Sequence, residues 1–156
     1  MPLDNLSDDT LLPPTGPALP VWEKYGHLDG EALLDAIIHQ AFPGRIAVSS
    51  SFGTESAVLL HLVARVAPET PVLFLDTGML YAQTDQYRRR LQDRLGLSDV
   101  RIIRPDQDHI REYDPDSTLH QRDPDACCHL RKVLPMQRVL DDFDAWVTGR
   151  KRIHGG

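Results

Sequence analysis

Cysteine is nearly absent. The 156 residues hold two, and they are neighbours, Cys127 and Cys128. Adjacent cysteines close no useful loop and the ring that would join them is strained, so a disulfide framework is excluded and metal or redox chemistry becomes the better account of the pair. Also missing is any apolar run near the roughly 20 residues that a bilayer-crossing helix needs. The amino terminus, Met1-Pro2-Leu3-Asp4-Asn5, lacks the basic and apolar regions of a secretory signal. These absences predict a cytoplasmic protein with no membrane partner. Positive charge is in deficit too, with 17 Lys and Arg against 23 Asp and Glu and a formal net charge of −6. Nucleic acids and anionic membranes demand a broad basic face, so neither is an expected partner, and basic residues matter only locally. The seven histidines are scattered without a pair at zinc-ligand spacing on an evident helix.

What the chain does contain is enough for one domain with a core, since 41% of its residues are hydrophobic. Residues 1–27 read as a flexible arm: the first 20 carry five prolines, several aspartates and little periodicity, too little apolar surface to offset the entropy of ordering. Residues 28–156 read as the domain. From Asp29 as N-cap, Leu33, Leu34, Ile37, Ile38 and Ala41 recur at helical spacing until Pro43-Gly44. The Ala57–Val63 segment, apolar almost all round, predicts a central helix covered on two sides. In 83–95, Tyr87, Leu91 and Leu95 predict a stripe that leaves Arg88, Arg89 and Arg90 in solvent. Strands are expected at Ile46–Val48, Val72–Leu75, Val100–Ile103 and Ala145–Thr148, with a long polar loop over 104–125, a short helix capped by Asp125, and a separate helix opened by Pro135. Strands alternating with helices imply an α/β fold, a parallel sheet covered on both faces.

Four segments carry candidate chemistry. Ser49-Ser50-Ser51-Phe52-Gly53-Thr54-Glu55-Ser56 joins a strand to a helix, where backbone N–H groups, hydroxyls and the positive helix end suit a phosphate or sulfate. An ordinary polar connection explains the same turn equally well, and Glu55 serves either a ribose or base or simply the first helical turn. The second strand ends in Asp76-Thr77-Gly78, at the sheet end where ligands of open parallel sheets bind. Cys127-Cys128 is either a soft-metal site or two small residues on a helix. Lys132, four residues after Cys128, shares its helical face and faces an anion or simply solvent. Gly149-Arg150-Lys151-Arg152 offers guanidinium forks for phosphate or sulfate oxygens, or is a frayed basic tail.

In this order these four motifs closely resemble the assimilatory adenylyl-sulfate and phosphoadenylyl-sulfate reductases, over about residues 28–156. The resemblance implies a three-layer domain of the adenine-nucleotide α-hydrolase type. It also implies reduction of adenylyl sulfate, or its 3′-phosphorylated form, to sulfite and an adenosine phosphate with electrons from thioredoxin or glutaredoxin; an assembly of identical chains is left open. Substrate is implied at Ser49, Ser50, Ser51, Phe52, Gly53, Glu55, Ser56, Asp76, Thr77, Gly78, Lys132, Gly149, Arg150, Lys151 and Arg152. Cys127 and Cys128 are implied as half the ligands of a 4Fe-4S cluster, a later Cys-x-x-Cys supplying the rest. The family's attacking cysteine, in a Lys-Arg-x-x-Cys-Gly-x-His context, is expected beyond residue 156, so this chain alone is expected to be an incomplete, inactive form. Dicysteine members favour adenylyl sulfate, which is therefore placed first. Two alternatives stand beside this reading. The serine turn also resembles the Ser-Gly-Gly-x-Asp-Ser loop of ATP pyrophosphatases, although Phe52 stands where those enzymes need glycine. The other is a non-catalytic nucleotide-binding or redox-responsive fragment. Zinc held by Cys127, Cys128 and His129 ranks below the cluster.

Overall fold

The computed structural model describes residues 16–54 and 56–149. The four apolar runs form strands β1 (Ile46–Ser50), β2 (Val72–Leu75), β3 (Val100–Ile103) and β4 (Ala145–Thr148). They pair only in parallel, in the order β3-β2-β1-β4, with Val48 opposite both Val72 and Val147. Parallel neighbours need long crossovers, which here are helical. They are α3 (Ser56–Val66) between β1 and β2, α4 (Ala82–Leu95) between β2 and β3, and a series of helices before β4. The chain thus leaves β1 toward β2 and β3, then returns to lay β4 on the other side of β1. The carboxyl ends of β1 and β4 flank a topological switch point, where ligands of such sheets bind.

The period of two divides the strands between two layers. Ile46, Val48, Val72 and Phe74 join Leu34, Ile38, Leu60 and Val63 in the larger core, with Leu91 and Leu95 of α4 packed against it; Leu34 belongs to α2 (Gly30–Ala36) and Ile38 to the π turn Ile37–Ala41 that continues it. Ala47, Leu73 and Ile103 face the opposite way, under Met136, Val139 and Leu140 of a later helix and Phe143. The result is the three-layer α/β arrangement with an all-parallel sheet that the sequence predicts.

Several local expectations are corrected. Within the arm expected over residues 1–27, Gly16–Ala18 form a 3-10 turn and Leu19–Tyr25 form helix α1, with Tyr25 buried. Val21, Trp22 and Tyr25 line a groove of about 730 Å³ with Leu33, Ile37 and Phe42, an apolar stripe that gives this segment something to pack on. The remainder of the arm, residues 1–15, lies outside the described residues. In α3, Leu60 and Val63 are buried but Val58 is 67% exposed, so the helix is covered along one stripe. In α4, Arg88 is buried and Tyr87 lies at the surface, opposite to expectation. The Arg88 guanidinium sits 5.8 Å from the Phe74 ring centroid and donates to Asp85 and Gln92, so a ring face and helix neighbours satisfy it away from water.

The expected loop over 104–125 contains helices α5 (Gln107–Tyr113) and α6 (Leu119–Arg122). Asp106 caps α5, accepting the Asp108 N–H at 2.8 Å. The next helix, α7 (Pro124–Cys128), is capped by Asp123 and not Asp125, with Pro124 in its first turn. It runs without a break through a π turn, His129–Val133, into α8 (Leu134–Leu140), so Pro135 does not open a separate helix. Proline cannot donate and crowds the carbonyl four residues back. The wider π turn, closed by the Leu134 N–H on the His129 carbonyl, accommodates it.

Candidate functional site

At the end of β1, the Ser50 hydroxyl is buried and Ser51 is exposed. Phe52 adopts φ +53°, a region a bulky side chain rarely enters. Its ring pins it there: 2% exposed, it meets Phe74 edge-on at 5.4 Å. The Phe52 N–H donates to Ser50 Oγ at 3.1 Å and the Gly53 N–H to Ser51 Oγ at 3.4 Å. Those two amides serve the turn itself and do not converge on an outside point, which corrects the expectation of an open row of donors. Ser56 opens α3 and donates its N–H to the Gly53 carbonyl at 3.0 Å. Across the switch point, Ser49 is opposite Thr148 and Gly149 follows, so close to α3 that a Cβ there would lie 3.5 Å from Leu59. Glu55, Arg150, Lys151 and Arg152 lie outside the described residues.

At the end of β2, the Asp76 carboxylate is occupied on both oxygens, by the Gly78 N–H at 2.9 Å and by Arg104 Nε at 3.2 Å. Gly78 takes φ +78°, which the turn requires and glycine allows. Asp76 therefore builds the turn. Thr77 is buried; its hydroxyl accepts the Met79 N–H at 3.3 Å and its carbonyl accepts Arg131 Nη1 at 2.9 Å.

Thr77 is also where β2 meets the dicysteine helix. A cleft of about 290 Å³ is lined by Thr77, Met79, Cys127, Cys128, Arg131 and Lys132, among others. Cys127 is buried and Cys128 exposed, as successive helical residues pointing about 100° apart should be. Lys132 is exposed and has no ion-pair partner among the described residues. The fold thus brings Cys127, Cys128, Lys132 and Thr77 to one cleft and sets Ser49, Ser50, Ser51, Phe52, Gly53, Ser56 and Gly149 around the switch point. The serine turn does not line the dicysteine cleft.

His129 turns elsewhere, into a neighbouring apolar cleft of about 470 Å³ shared with His109 and Tyr113. Among the described residues no three His, Cys, Asp or Glu side chains gather as a metal site, so zinc on Cys127, Cys128 and His129 has no geometric support. Two thiols on one cleft wall do fit two of the four thiolate positions of a 4Fe-4S cluster.

The sequence reading missed Arg131 and Asp114. They form a buried ion pair, Nη2 to Oδ2 at 2.7 Å, with side chains 5% and 0% exposed. Burial opposes the Asp114 charge, yet hydrogen bonds from the Arg131 guanidinium and the Leu119 amide hold its carboxyl below the usual carboxylate range. Arg131 follows Cys127 by four residues as Lys132 follows Cys128, so the spacing that singled out Lys132 pointed equally to Arg131.

An all-parallel sheet in this order, with helices on both faces, defines an α/β domain of the adenine-nucleotide α-hydrolase type. The crystal structure of phosphoadenylyl-sulfate reductase from Candida auris, a phosphate complex, superposes with a TM-score of 0.69 over 88% of this chain and 69% of that one, at 21% identity, a likeness of fold. In sequence, residues 45–155 match the phosphoadenosine phosphosulfate reductase domain, and the chain belongs to that family. It is 46% identical to an adenosine 5′-phosphosulfate reductase of Chelativorans sp. (strain BNC1) over 86% of this chain and 56% of that protein. With the enzyme of the same name from Mesorhizobium japonicum the identity is 43%, covering 82% and 50%. The chain therefore spans about half the length of these curated relatives.

Proposed function

We propose that this chain is the nucleotide-binding part of a thiol-dependent adenylyl-sulfate reductase of sulfate assimilation. The observation that carries the reading is the shared cleft: the β2 exit at Thr77, the dicysteine and the exposed Lys132 meet in one place. An anion beside Lys132 would lie next to the dicysteine. The two relatives named adenosine 5′-phosphosulfate reductase support this substrate over the 3′-phosphorylated one.

In the proposed reaction a thiolate attacks the sulfur of adenylyl sulfate, the sulfur–oxygen bond to the nucleotide breaks, and adenosine monophosphate leaves. A second thiol, from a thioredoxin or glutaredoxin, attacks the cysteine sulfur of the resulting thiosulfonate; sulfite departs with the electron pair and a disulfide remains. Cys127 and Cys128 would hold half of a 4Fe-4S cluster, which when bound supplies a polarisable iron–thiolate centre beside the substrate anion. Lys132 holds the sulfo group by charge, and the Ser49–Ser51 turn with Gly149 borders the nucleotide at the switch point. Arg150, Lys151 and Arg152 complete the anion site in this reading. A cytoplasmic location belongs to the same proposal.

Calorimetric titration tests it. The chain should bind adenylyl sulfate more tightly than magnesium ATP, and Lys132→Ala should lower that affinity roughly tenfold or more with the thermal midpoint unchanged. With both its cysteines reserved as ligands, it should release no sulfite on incubation with adenylyl sulfate and reduced thioredoxin. Preference for ATP would overturn the proposed substrate in favour of pyrophosphatase-like nucleotide binding. The Phe52 side chain does not forbid that outcome by its bulk, because its ring is folded into the core.

A further inference from the structure

We propose that Arg131 is a positioning residue: paired with Asp114 and bonded to the Thr77 carbonyl, it fixes the helix bearing Cys127, Cys128 and Lys132 against the carboxyl end of β2. Its hydrogen bonds run from Nε and Nη2 to Asp114 Oδ2 at 3.2 and 2.7 Å, from Nη1 to the Thr77 carbonyl at 2.9 Å, and from Nη2 to Ser117 Oγ at 3.4 Å. A guanidinium so committed, and 5% exposed, is not offered to a substrate anion. Although Arg131 borders the cleft, its charge is answered by Asp114, and Lys132, without an ion-pair partner among the described residues, is the neighbour left to meet an anion.

The other Asp114 oxygen accepts the Leu119 N–H at 2.9 Å at the start of α6. One buried pair therefore joins three stretches of chain: the β2 exit, 54 residues before Arg131; the α5–α6 turn, 17 residues before it; and the dicysteine helix. Gly78 adjoins the clamp, since a Cβ there would lie 3.5 Å from Arg131 Nη1. Arg131 also lies inside the π turn, where the helix widens, so its direction depends on that local geometry. A lysine cannot replace it, because one ammonium on a flexible stem cannot hold the carboxylate and the carbonyl in a fixed fork.

The affinity part of this inference rests on the proposed function; the geometric part does not. The test compares the wild-type chain, Arg131→Lys, and the double variant Arg131→Met with Asp114→Leu, which removes the pair without leaving a charge buried alone and should stay folded. Iodoacetamide labelling of the reduced, folded chain, followed by mass spectrometry, gives separate rates for Cys127 and Cys128. In the wild type Cys128 should react quickly and Cys127 slowly. In both variants the Cys127 rate should rise and the affinity for adenylyl sulfate should fall, each by roughly tenfold, as when a supporting partner of a site is lost. An unchanged Cys127 rate in either folded variant overturns the proposal, and Arg131→Lys decides it alone if the double variant does not fold. A wild-type chain that fails to bind adenylyl sulfate would instead overturn the proposed function, and the thiol rates would still judge the clamp.

Discussion

On one face of the sheet, eleven buried residues from α2 and its π turn, α3, two of the strands and their connections form a continuous apolar core; on the other, three buried residues lie under α8. The dicysteine belongs to the thinner side, on the helix that covers Leu73, whereas the serine turn stands at the sheet end with Phe52 in the thicker core. The thick layer is apolar but for Arg88 over Phe74, and the thin one leaves room for the dicysteine cleft and the buried Arg131–Asp114 pair. Most of the apolar burial thus lies on one face, and the dicysteine helix on the other.

Truncations on the two faces should show this division first. Phe74→Ala removes the partner of both Phe52 and Arg88 and should cost about 3–5 kcal/mol in denaturant unfolding. Leu73→Ala, beneath partly exposed neighbours that can settle into the space, should fall toward the lower end of about 2–5 kcal/mol. Equal costs would break the comparison.

Acid should act on the thin side. The Asp114 carboxyl titrates lower in the folded chain than in the unfolded one, so its contribution is complete above the unfolded value near about 3.9 and is lost as pH falls through the lower folded value. Thermal melts from about pH 6 down to about pH 2 should show Asp114→Asn less stable than wild type at the upper end and less sensitive to acid at the lower. Parallel curves would assign the acid sensitivity to the other carboxylates held low by hydrogen bonds, Asp85 and Asp106 among them.

The smallest effect belongs to the exposed pair Arg45–Asp144, bonded at 3.0 and 3.1 Å in solvent. Asp144→Asn should shift the thermal midpoint by less than about 2 °C, because water and salt screen such pairs.

Much of this division was legible in the sequence. The period of two in Val72-Leu73-Phe74-Leu75 assigns each side chain to its face, and the alternation of strands with helices forces a parallel sheet. The switch-point turn, the Asp76-Thr77-Gly78 end and the Cys128 to Lys132 spacing could all be placed on their elements. The polar helices α5 and α6 could not, because they lack an apolar stripe and are set by caps such as Asp106. Arg88 read as a solvated charge because its burial depends on Phe74, distant in sequence. Arg131 shares the four-residue spacing from the dicysteine, but its pairing was not legible, because its partners Asp114 and Thr77 are close only in the folded chain. What periodicity misses is the polar group whose partner arrives from elsewhere.

The position of β4 sets an order of events in folding. Ile46 pairs with Ala145, and the Arg45–Asp144 bond spans 99 residues of chain. At ribosomal speeds of about 5–20 residues per second, roughly 5 to 20 seconds pass between the synthesis of β1 and the arrival of its second neighbour. During that interval β1, interior among the four described strands, is an edge with unpaired backbone groups and a serine turn that lacks its Gly149 flank. Pairings of such long range are slow to close and leave an edge open to other chains. The strand that completes the switch point is therefore also the one that covers the open edge of β1.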